Sequence, residues 1–470
     1  MKYYLTSLVL AFVVLFPSCK DKESEPCATA PSGTFDFFVN SGEENGDLIG
    51  DVSSEGSDFT YHIVSGNDDG LFGIDNASGE VSLVKADSFF SSTLEEYLLA
   101  IESRYDDCPA GNITANITKD DFGLRVEQIV KSVRDKYGIQ GIGYTLLLPE
   151  KSVKMGLIGH RKVGVELDKE KLWHVTSNTK MVTATMILQL MEEGKLSLED
   201  PISKFGISYD KIDESYKIKH LLGHNTNYGN YTESGTAIWP EIYGNPSKVY
   251  DLDFLLKNYL PNSNSNPTTG YMYNNTNYAI LGMIVEGLTG KDLATAAKER
   301  IFDPLGLTKT SLRTEGMDVK ELNGVYRYFG NDLQDLNSTP VMSYLSMWGG
   351  AGAMVTTTDE FAVLVKNLLS SKFLKQETID LATTSSPGST KTFGDYTISY
   401  GLGFSLTEYK GFSSYGHGGN GLHKSVSLHD SENNITITFA YNHMADHDDT
   451  KRAELGTALY ELALKEIGKL

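Results

Sequence analysis

Apolar and polar residues alternate along the first part of the chain. Phe35, Phe37 and Val39 have a period of two, and turn-forming segments such as 65–68 and 76–79 separate further short runs of the same kind. Strands at this spacing predict an all-β sandwich over residues 34–120. The runs that carry the alternation are Tyr61 and Ile63; Phe72 and Ile74; Val81 and Leu83; Leu99, Ile101 and Ser103; and Ile113, Ala115 and Ile117.

From about residue 121 the pattern changes to a mixture of helices and strands. Leu124, Ile129 and Val133 predict an amphipathic helix, and residues 141–148 and 153–159 predict two paired strands. The mostly apolar stretch Ser177–Met191 predicts a helix that ends before Gly194. A second apolar helix is predicted over Tyr278–Leu288, so residues 121–470 read as one mixed domain.

The N-terminus has the pattern of an export signal. Lys2 precedes the apolar run Leu5–Phe16, and Pro17-Ser18-Cys19 follows it. About a dozen apolar residues fall short of the ~20 that span a membrane as a helix. The segment resembles a bacterial lipoprotein signal peptide, which implies a signal over 1–19, lipidation at Cys19, a linker over 20–33 and an exported protein anchored in the cell envelope. An ordinary secretory signal cut nearby is the alternative.

Charge and cysteine content narrow the range of partners. The 470-residue chain has 41 basic and 62 acidic residues, a net charge of −21, which disfavours binding to nucleic acid or to anionic lipid. With Cys19 lipidated, Cys27 and Cys108 are left in an exported region where disulfides persist. They are a candidate disulfide, with two unpaired thiols as the alternative.

One serine and one lysine carry the strongest chemical signal. Ser177 and Lys180 stand three residues apart at the start of a predicted apolar helix, so the amine can reach the hydroxyl. A serine needs a base to become a nucleophile, and a lysine in a dry pocket can serve as that base or hold a neighbouring phenol as phenolate. The same spacing occurs at Ser82–Lys85 and Ser208–Lys211, but neither pair begins a long apolar helix.

Two further motifs follow in order, Tyr273-Asn274-Asn275 and His417-Gly418-Gly419. Together with the serine motif they resemble the serine β-lactamase and penicillin-binding-protein superfamily, in particular class C β-lactamases, D-alanyl-D-alanine carboxypeptidases and related esterases. The resemblance covers about 121–470 and includes the segments 218–226 and 349–357. It implies an α/β (α+β) domain with an antiparallel sheet, flanking helices and a helical subdomain inserted between Leu190 and about Asp359.

The resemblance also implies roles. Ser177 would be the acylated nucleophile, Lys180 its base and Tyr273 the proton relay to the leaving group, with His417 beside the scissile bond. Asn275 would hold Lys180 and the substrate amide. The backbone amides of Ser177 and Asn420, beyond Gly419, would form the oxyanion hole. The implied reaction is acyl transfer on a peptidoglycan-type peptide, a β-lactam or a small ester, without a cofactor.

Residues 34–120 resemble a cadherin-type repeat in the runs 44–50, 61–67 and 72–81. Ca²⁺ takes six to eight oxygen ligands, and apart from Glu44 the expected ligand positions are not matched, so we expect a spacer or adhesion module without calcium. His443 and His447 have an i,i+4 spacing, but no third ligand is placed and no metal is predicted. The alternative function is a non-catalytic envelope-binding or adhesion lipoprotein that retains the fold.

Overall fold

The computed structural model describes residues 30–470 except 41–42, 54–58, 93, 95, 106–109, 121, 150–153, 234, 264–269, 330–331, 339 and 444–449. The predicted signal peptide, Cys19, Cys27, Cys108 and His447 therefore lie outside the described residues. The chain divides into two compact units, residues 1–128 and 129–470. The division falls within a helix, α2 (Phe122–Tyr137), a few residues beyond the domain boundary predicted at 120/121.

Among its described residues, the N-terminal unit contains two β-sheets, the short helix α1 (Ala86–Ser91) and the first residues of α2. One sheet has the order β1-β7-β6-β3 and the other β2-β5-β4, with β1 and β7 parallel. All strands predicted from the alternation are present, whereas β2 and α1 were not predicted. The strands are β1 (Gly33–Asn40), β2 (Leu48–Asp51), β3 (Thr60–Ser65), β4 (Phe72–Ile74), β5 (Glu80–Leu83), β6 (Glu96–Arg104) and β7 (Gly111–Asp120).

Burial in the N-terminal unit follows the period of two. Along β6, Tyr97, Leu99 and Ile101 are buried and their neighbours are more exposed, as a half-buried strand requires. Phe72 meets the rings of Phe89 and Tyr97 edge to face, each at 5.5 Å between ring centroids. Residues from both sheets and from α1 thus share a single apolar core.

The C-terminal unit is built around a nine-stranded antiparallel sheet with the order β10-β9-β8-β21-β20-β19-β18-β17-β16. A smaller sheet, β11-β15-β12, and the hairpin β13-β14 accompany it. The strands are β8 (Gly141–Leu147), β9 (Lys154–Lys162), β10 (Val165–Glu166), β11 (Trp173–Thr176), β12 (Ser311–Leu312), β13 (Tyr326–Phe329), β14 (Asp332–Asp335), β15 (Met354–Thr356), β16 (Lys391–Phe393), β17 (Tyr396–Tyr400), β18 (Ser405–Tyr409), β19 (Phe412–Asn420), β20 (Lys424–Asp430) and β21 (Ile435–Tyr441).

Helices pack against this sheet and fill the segment between its strands. Helix α10 packs on β8, β20 and β21, and the C-terminal helix α12 packs on β20 and β21. The remaining helices of the unit belong mostly to the long insertion. The helices are α3 (Thr179–Glu192), α4 (Ile218–Leu222), α5 (Ile238–Gly244), α6 (Leu252–Tyr259), α7 (Asn275–Thr289), α8 (Leu293–Ala297), α9 (Met342–Ser346), α10 (Thr358–Leu368), α11 (Gln376–Ala382) and α12 (Thr450–Glu466).

The antiparallel sheet with flanking helices was predicted, and the inserted subdomain is only partly as predicted. Between α3 and α10 the chain forms helices and short 3₁₀ segments, but also β12, β15 and the hairpin β13-β14. Strand β12 has two residues and β13, β14 and β15 have three or four, which is too short for alternation alone to identify them. Strands β4 and β5 are as short, but they stand in a series of such runs separated by turn signals. None of the helices among the described residues is long and apolar enough to cross a bilayer.

Helices α3 and α7 form the buried centre of the C-terminal unit. Nearly every residue of α3 is buried, which explains why its sequence is apolar on all sides rather than along one stripe. The two helices pack on each other and on the 3₁₀ turn Gly349–Ala351. Gly194 ends α3 and Gly290 ends α7, both at positive φ, as their sequence positions predicted.

One glycine permits the close approach of the 349–351 turn to these helices. A Cβ on Gly350 would lie 2.5 Å from the Tyr278 carbonyl oxygen and 3.1 Å from Thr183 Oγ1. The first of these atoms belongs to the backbone of α7 and cannot rotate away. The absence of a side chain at Gly350 therefore sets the position of the next residue, Ala351.

We predict that Gly350→Ala lowers the free energy of unfolding of the C-terminal unit by about 1–3 kcal/mol, the usual cost of overpacking a core. Urea unfolding followed by circular dichroism measures the change. Gly287→Ala is the matched control, because Gly287 lies on α7, the helix that Gly350 contacts, and has nothing within 4 Å of its Cβ position. It should be neutral or stabilising. Equal stability of the Gly350 variant and the wild type would contradict the packing argument.

Candidate active site

Ser177 directly follows strand β11, in the turn between this strand and helix α3. Thr176, at the end of β11, has φ of +43°, which is unusual for a β-branched residue and marks a strained connection. Asn178 N–H then donates to the Val175 carbonyl at 3.2 Å, and Lys180 N–H donates to the Ser177 carbonyl at 3.0 Å. Ser177 itself is half-buried in this tight turn. Its side chain is thus held just before α3 begins.

Lys180 lies beneath Ser177 in a dry pocket. Its Nζ is 3.1 Å from Ser177 Oγ and 2.7 Å from the Ala351 carbonyl oxygen, and its side chain is completely buried. Burial lowers the pKa of Lys180 well below its usual range. The rings of Tyr273 and Tyr278 stand 4.9 Å and 5.6 Å from Nζ and partly offset this desolvation, since aromatic faces attract a cation.

Tyr273 stands over the same two side chains. It precedes α7 and is 36% exposed, so it borders both the solvent and the buried amine. Burial raises the pKa of Tyr273, and a hydrogen bond with Ser177 partly opposes that rise. The phenol is therefore protonated at neutral pH. Ser177, Lys180 and Tyr273, which are far apart in sequence, are in contact in the structure.

Asn275 does not hold Lys180 in this structure, contrary to the role implied by the resemblance. Its Nδ2 donates to Thr232 Oγ1 at 2.6 Å, whereas the acceptor that secures the lysine is the Ala351 carbonyl. The Asn275 side-chain oxygen is buried and has no hydrogen-bond partner among the described residues. An acceptor at this place is available to a bound N–H group.

Strand β19 passes close to β11 because it contains glycines. A Cβ on Gly419 would lie 2.2 Å from Ser425 Oγ and 2.4 Å from the Val175 carbonyl oxygen. Asn420 ends the strand, is exposed and pairs with Lys424 of β20. Asn420, predicted to supply one amide of the oxyanion hole, thus follows directly after the residue at which β19 contacts β11. The roles of the Ser177 and Asn420 amides stay a prediction.

His417 lies on β19 beside Tyr273 and is neutral. Its Nδ1–H donates to the Gly418 carbonyl at 2.6 Å, and its Nε2 accepts from the Tyr400 hydroxyl at 3.1 Å. Burial lowers the pKa of His417 to about 3, and Lys180 in its protonated form adds to this lowering. Its ring centroid is 5.9 Å from that of Tyr273. Both ring nitrogens are thus occupied, and His417 forms the wall behind the phenol rather than a direct contact with Ser177.

Two more neutral histidines brace β11. His423 Nδ1 accepts from the His174 backbone N–H at 2.8 Å, and its Nε2–H donates to the Gly324 carbonyl at 2.6 Å. His174 Nε2–H donates to the Gly352 carbonyl, also at 2.6 Å. Each ring joins β11 to a different loop. The strand that ends at Ser177 is therefore held from both sides by hydrogen bonds between buried groups.

Several members of the site had no signal in the sequence. The Ala351 carbonyl is a backbone group, and only its position after Gly349-Gly350 set it apart. Tyr278 and Tyr400 were two among 26 tyrosines. His224 is surrounded by the rings of Tyr273, Tyr278 and Tyr400. An aromatic side chain in this cluster is distinguishable from a core aromatic only once the fold is known.

The other Ser-x-x-Lys pairs do not form a serine–lysine contact. Lys85 donates to the Asp69 carbonyl at 2.6 Å and Lys211 to the Leu260 carbonyl at 2.7 Å. Ser208 donates to Glu214. Of the two histidines with an i,i+4 spacing, His443 accepts from Gln140 N–H at 3.3 Å. Among the described residues no group of three metal-ligating side chains occurs.

Comparison with known proteins identifies the family of the C-terminal part of the chain. The sequence model of the family described as Beta-lactamase matches residues 126–461, which is most of the chain. The chain therefore belongs to the Beta-lactamase family, within the serine β-lactamase and penicillin-binding-protein superfamily.

Relatives of known name lie within the same superfamily. The chain is 27% identical over 308 residues to a putative D-alanyl-D-alanine carboxypeptidase of Escherichia coli (strain K12), covering 58% of this chain and 69% of the relative. It is 25% identical over 295 residues to the putative penicillin-binding protein PbpX of Bacillus subtilis (strain 168), covering 63% and 67%. The C-terminal unit thus belongs to a family of serine hydrolases.

Solved structures show the same fold. The D-amino acid amidase of Ochrobactrum anthropi SV3, complexed with L-phenylalanine amide, aligns with a TM-score of 0.63 at 23% identity, covering 74% of this chain and 99% of the amidase. A penicillin-binding protein of Bacillus halodurans aligns with a TM-score of 0.58 at 19% identity, covering 71% and 99%. At these identities the likeness concerns the fold alone.

The neutral histidines predict an acid-sensitive fold. Burial lowers the pKa of His174 to about 4 and that of His423 to about 3. Unfolded histidine titrates near 6.5, so below pH 6.5 the unfolded chain takes up protons that the folded chain does not. Proton uptake by these histidines on unfolding therefore leaves the free energy of unfolding nearly unchanged above about pH 7. As the pH falls, it lowers that free energy by about 1 kcal/mol per such histidine between pH 7 and 5.5.

Urea unfolding of the protein at pH 7 and pH 5.5 measures this loss in the transition of the C-terminal unit. His429→Gln is a comparison outside the site, because burial also lowers the pKa of His429 to about 4. The free energy of unfolding of this variant should depend less steeply on pH, because about one proton fewer is taken up on unfolding. A urea midpoint that is no lower at pH 5.5 than at pH 7 would show that the histidines are not held neutral.

Proposed function

We propose that the C-terminal unit is a serine hydrolase that acts on amide or ester bonds through an acyl-enzyme on Ser177. The observation that carries this proposal is the contact of 3.1 Å between the Ser177 hydroxyl and the fully buried amine of Lys180. The other hydrogen bond of that amine goes to a neutral carbonyl, which does not favour the charged form as a carboxylate would. A desolvated amine at this place is a base for the hydroxyl.

Acylation follows from the positions of these groups. Lys180 takes the proton of Ser177 as the serine oxygen attacks the substrate carbonyl carbon and forms a tetrahedral oxyanion. The backbone amides of Ser177 and Asn420 donate hydrogen bonds to this oxyanion and stabilise its negative charge. The protonated phenol of Tyr273 then supplies a proton to the leaving nitrogen or oxygen as its bond to carbon breaks, and recovers one from the Lys180 ammonium. The result is an ester on Ser177 and a free amine or alcohol.

Deacylation uses the same groups in reverse. Lys180, neutral again after acylation, takes a proton from a water molecule as the water oxygen attacks the ester carbonyl carbon, and the Ser177 oxygen leaves with the proton that the Lys180 ammonium returns. His417 stays neutral and contributes an uncharged wall on the leaving-group side. The free oxygen of Asn275 accepts from the substrate's N–H group.

Small acyl donors suit this arrangement. The named relatives include a putative D-alanyl-D-alanine carboxypeptidase and penicillin-binding proteins, and a structural relative is a D-amino acid amidase. We propose the corresponding substrate classes for this chain: a peptidoglycan-type peptide, a β-lactam, or a small amide or ester. Because the nucleophile and base are common to all of them, the walls of the cleft decide among these classes.

We further propose that the protein is an exported lipoprotein, anchored in the cell envelope by lipid on Cys19. The N-terminal β-unit acts as a cadherin-like spacer between the anchor and the hydrolase. Its support is the sequence pattern of residues 44–81 and the two sheets around one core. The disulfide between Cys27 and Cys108 belongs to the same proposal, since an exported chain meets an oxidising compartment.

The nucleophile is tested by covalent labelling. We predict that a fluorophosphonate or a fluorescent penicillin adds its mass to Ser177, that Ser177→Ala abolishes the addition, and that Lys180→Met slows it by at least about 10²-fold, the lower range of general base catalysis. Peptide mass spectrometry locates the adduct. A D-Ala-D-Ala peptide, a chromogenic cephalosporin and a short-chain ester, assayed in parallel, then identify the substrate class.

Ser208→Ala is the matched control, because Ser208 has a lysine at the same spacing without contact to it. It should be labelled as fast as the wild type. A folded wild-type protein that stays unlabelled by both probes, or a Ser177→Ala protein that is still labelled, would overturn the proposal in favour of a non-catalytic binding or adhesion protein.

Anchoring is tested separately at Cys19. We predict that cells expressing the full chain incorporate radioactive palmitate into the protein, and that Cys19→Ala abolishes the incorporation because no thiol is left directly at the end of the signal segment. Immunoprecipitation and autoradiography measure it, and Cys27→Ala is the control that keeps the label. Incorporation that survives Cys19→Ala would contradict the lipid anchor.

A further inference from the structure

His224 secures the backbone on both sides of Tyr273. The His224 carbonyl oxygen accepts from the Met272 N–H at 2.9 Å, and the His224 ring Nδ1 accepts from the Asn274 N–H at 3.1 Å. The residue before Tyr273 and the residue after it are thus tied to one side chain and its own carbonyl. The backbone of Tyr273 cannot shift relative to His224 without breaking one of these bonds.

The ring of His224 also contacts the phenol directly. Its centroid is 4.4 Å from that of Tyr273 and 4.7 Å from that of Tyr400, and the side chain is completely buried. Burial lowers the pKa of His224 well below its usual value, and Lys180 in its protonated form adds to this lowering. A neutral imidazole therefore fills the space behind the phenol without placing a positive charge beside the amine.

Packing alone does not account for a histidine here. Because Nδ1 accepts a hydrogen bond, the ring proton is on Nε2, and this buried N–H has no hydrogen-bond partner among the described residues. Such an unpaired group costs about 1–3 kcal/mol, and a leucine of similar volume would avoid that cost. The backbone of His224, at φ +59°, adds strain. What the histidine supplies and a leucine does not is the acceptor at Nδ1.

We propose that His224 is a positioning residue for Tyr273, which holds the phenol against Ser177 and Lys180 by fixing the amides on either side of it. The inference rests on the proposed function, because it assigns His224 a role in Ser177 chemistry without contact with the reacting atoms. A displacement of about 1 Å at such a group costs about 10²-fold in rate.

The start of helix α7 also has hydrogen bonds that do not involve His224. Asn274 Oδ1 accepts from the Thr276 N–H at 2.9 Å and caps the helix, and Asn274 Nδ2 donates to the Tyr228 carbonyl at 2.6 Å. Replacement of His224 should therefore loosen Tyr273 and leave the start of the helix in place. This separates a positioning effect from a general loss of the fold.

The experiment measures how fast a fluorophosphonate modifies Ser177 in the full chain, by intact mass, at increasing probe concentration. His224→Leu is expected to lower the maximal rate by about 10²-fold, with little change in the half-saturating concentration. His224→Asn should stay within about tenfold of the wild type, because its amide oxygen takes the place of Nδ1 and asparagine tolerates positive φ. His220→Leu is the control and keeps the wild-type rate, since His220 Nδ1 accepts from Lys217 N–H at 3.1 Å on α4, outside the site.

A double-mutant cycle with Tyr273→Phe separates positioning from a structural role. If His224 acts through the phenol, His224→Leu adds little to the loss already caused by Tyr273→Phe. Losses that multiply, or a wild-type rate in the single His224→Leu variant, would overturn the inference. If His224→Leu does not fold, His224→Gln replaces it. Its amide oxygen lies one bond farther out, and equal rates for Asn and Gln would then reject the role of Nδ1.

Failure of the proposed function gives a different result. In that case wild-type Ser177 is not modified, or Tyr273→Phe reacts as fast as the wild type, and the role of His224 is rejected with it. If Ser177 is modified and Tyr273→Phe slows the reaction while the His224 variants do not, the hydrolase proposal stands and the role of His224 alone is rejected.

Discussion

The site depends on one uncharged environment around one amine. Lys180 is buried without a carboxylate partner among the described residues, between the hydroxyl of Ser177 and the carbonyl of Ala351. A neighbouring carboxylate would hold the proton on the amine and leave the serine without a base. Burial instead favours the neutral amine, and the fold achieves this by packing α3, α7 and the glycine turn at 349–351 so closely that water is excluded. The stability of the unit and the chemistry of the site thus share the same contacts.

Burial has opposite effects on the two kinds of group in the pocket. It lowers the pKa of the lysine and of the histidines, and it raises the pKa of Tyr273 and Tyr400. The same dry environment therefore produces a free base beside a protonated acid, which is the pairing that acyl transfer requires. The neutral state of His417 is part of this, because a cation beside Lys180 and Tyr273 would shift the pKa of both groups. The pocket assigns roles through solvation more than through direct ion pairs.

The agreement between sequence and structure is closest where the signal is local. The strands around Phe35 to Ile117, the helix after Ser177 and the glycines that end α3 and α7 follow from alternation, apolar length and backbone freedom, and all are present. The disagreements involve partners from distant parts of the chain. Asn275 was expected to hold Lys180, and a backbone carbonyl does so instead. Strands β12 to β15 were missed because they are too short to show a period, and they exist through pairing with neighbours that sequence spacing does not reveal.

The amino-acid sequence alone determined the order of the motifs, the choice of Ser177 over Ser82 and Ser208, and the likeness to a serine hydrolase family, because these depend on residue type and on position relative to a local element. Only the tertiary structure decided which groups surround the amine, which histidines are neutral, and that His224 contacts both the phenol and the backbone amides on either side of it. The physical reason is that solvation and hydrogen-bond partnership belong to a place in space. Residues far apart along the chain create that place together, and none of them carries it separately.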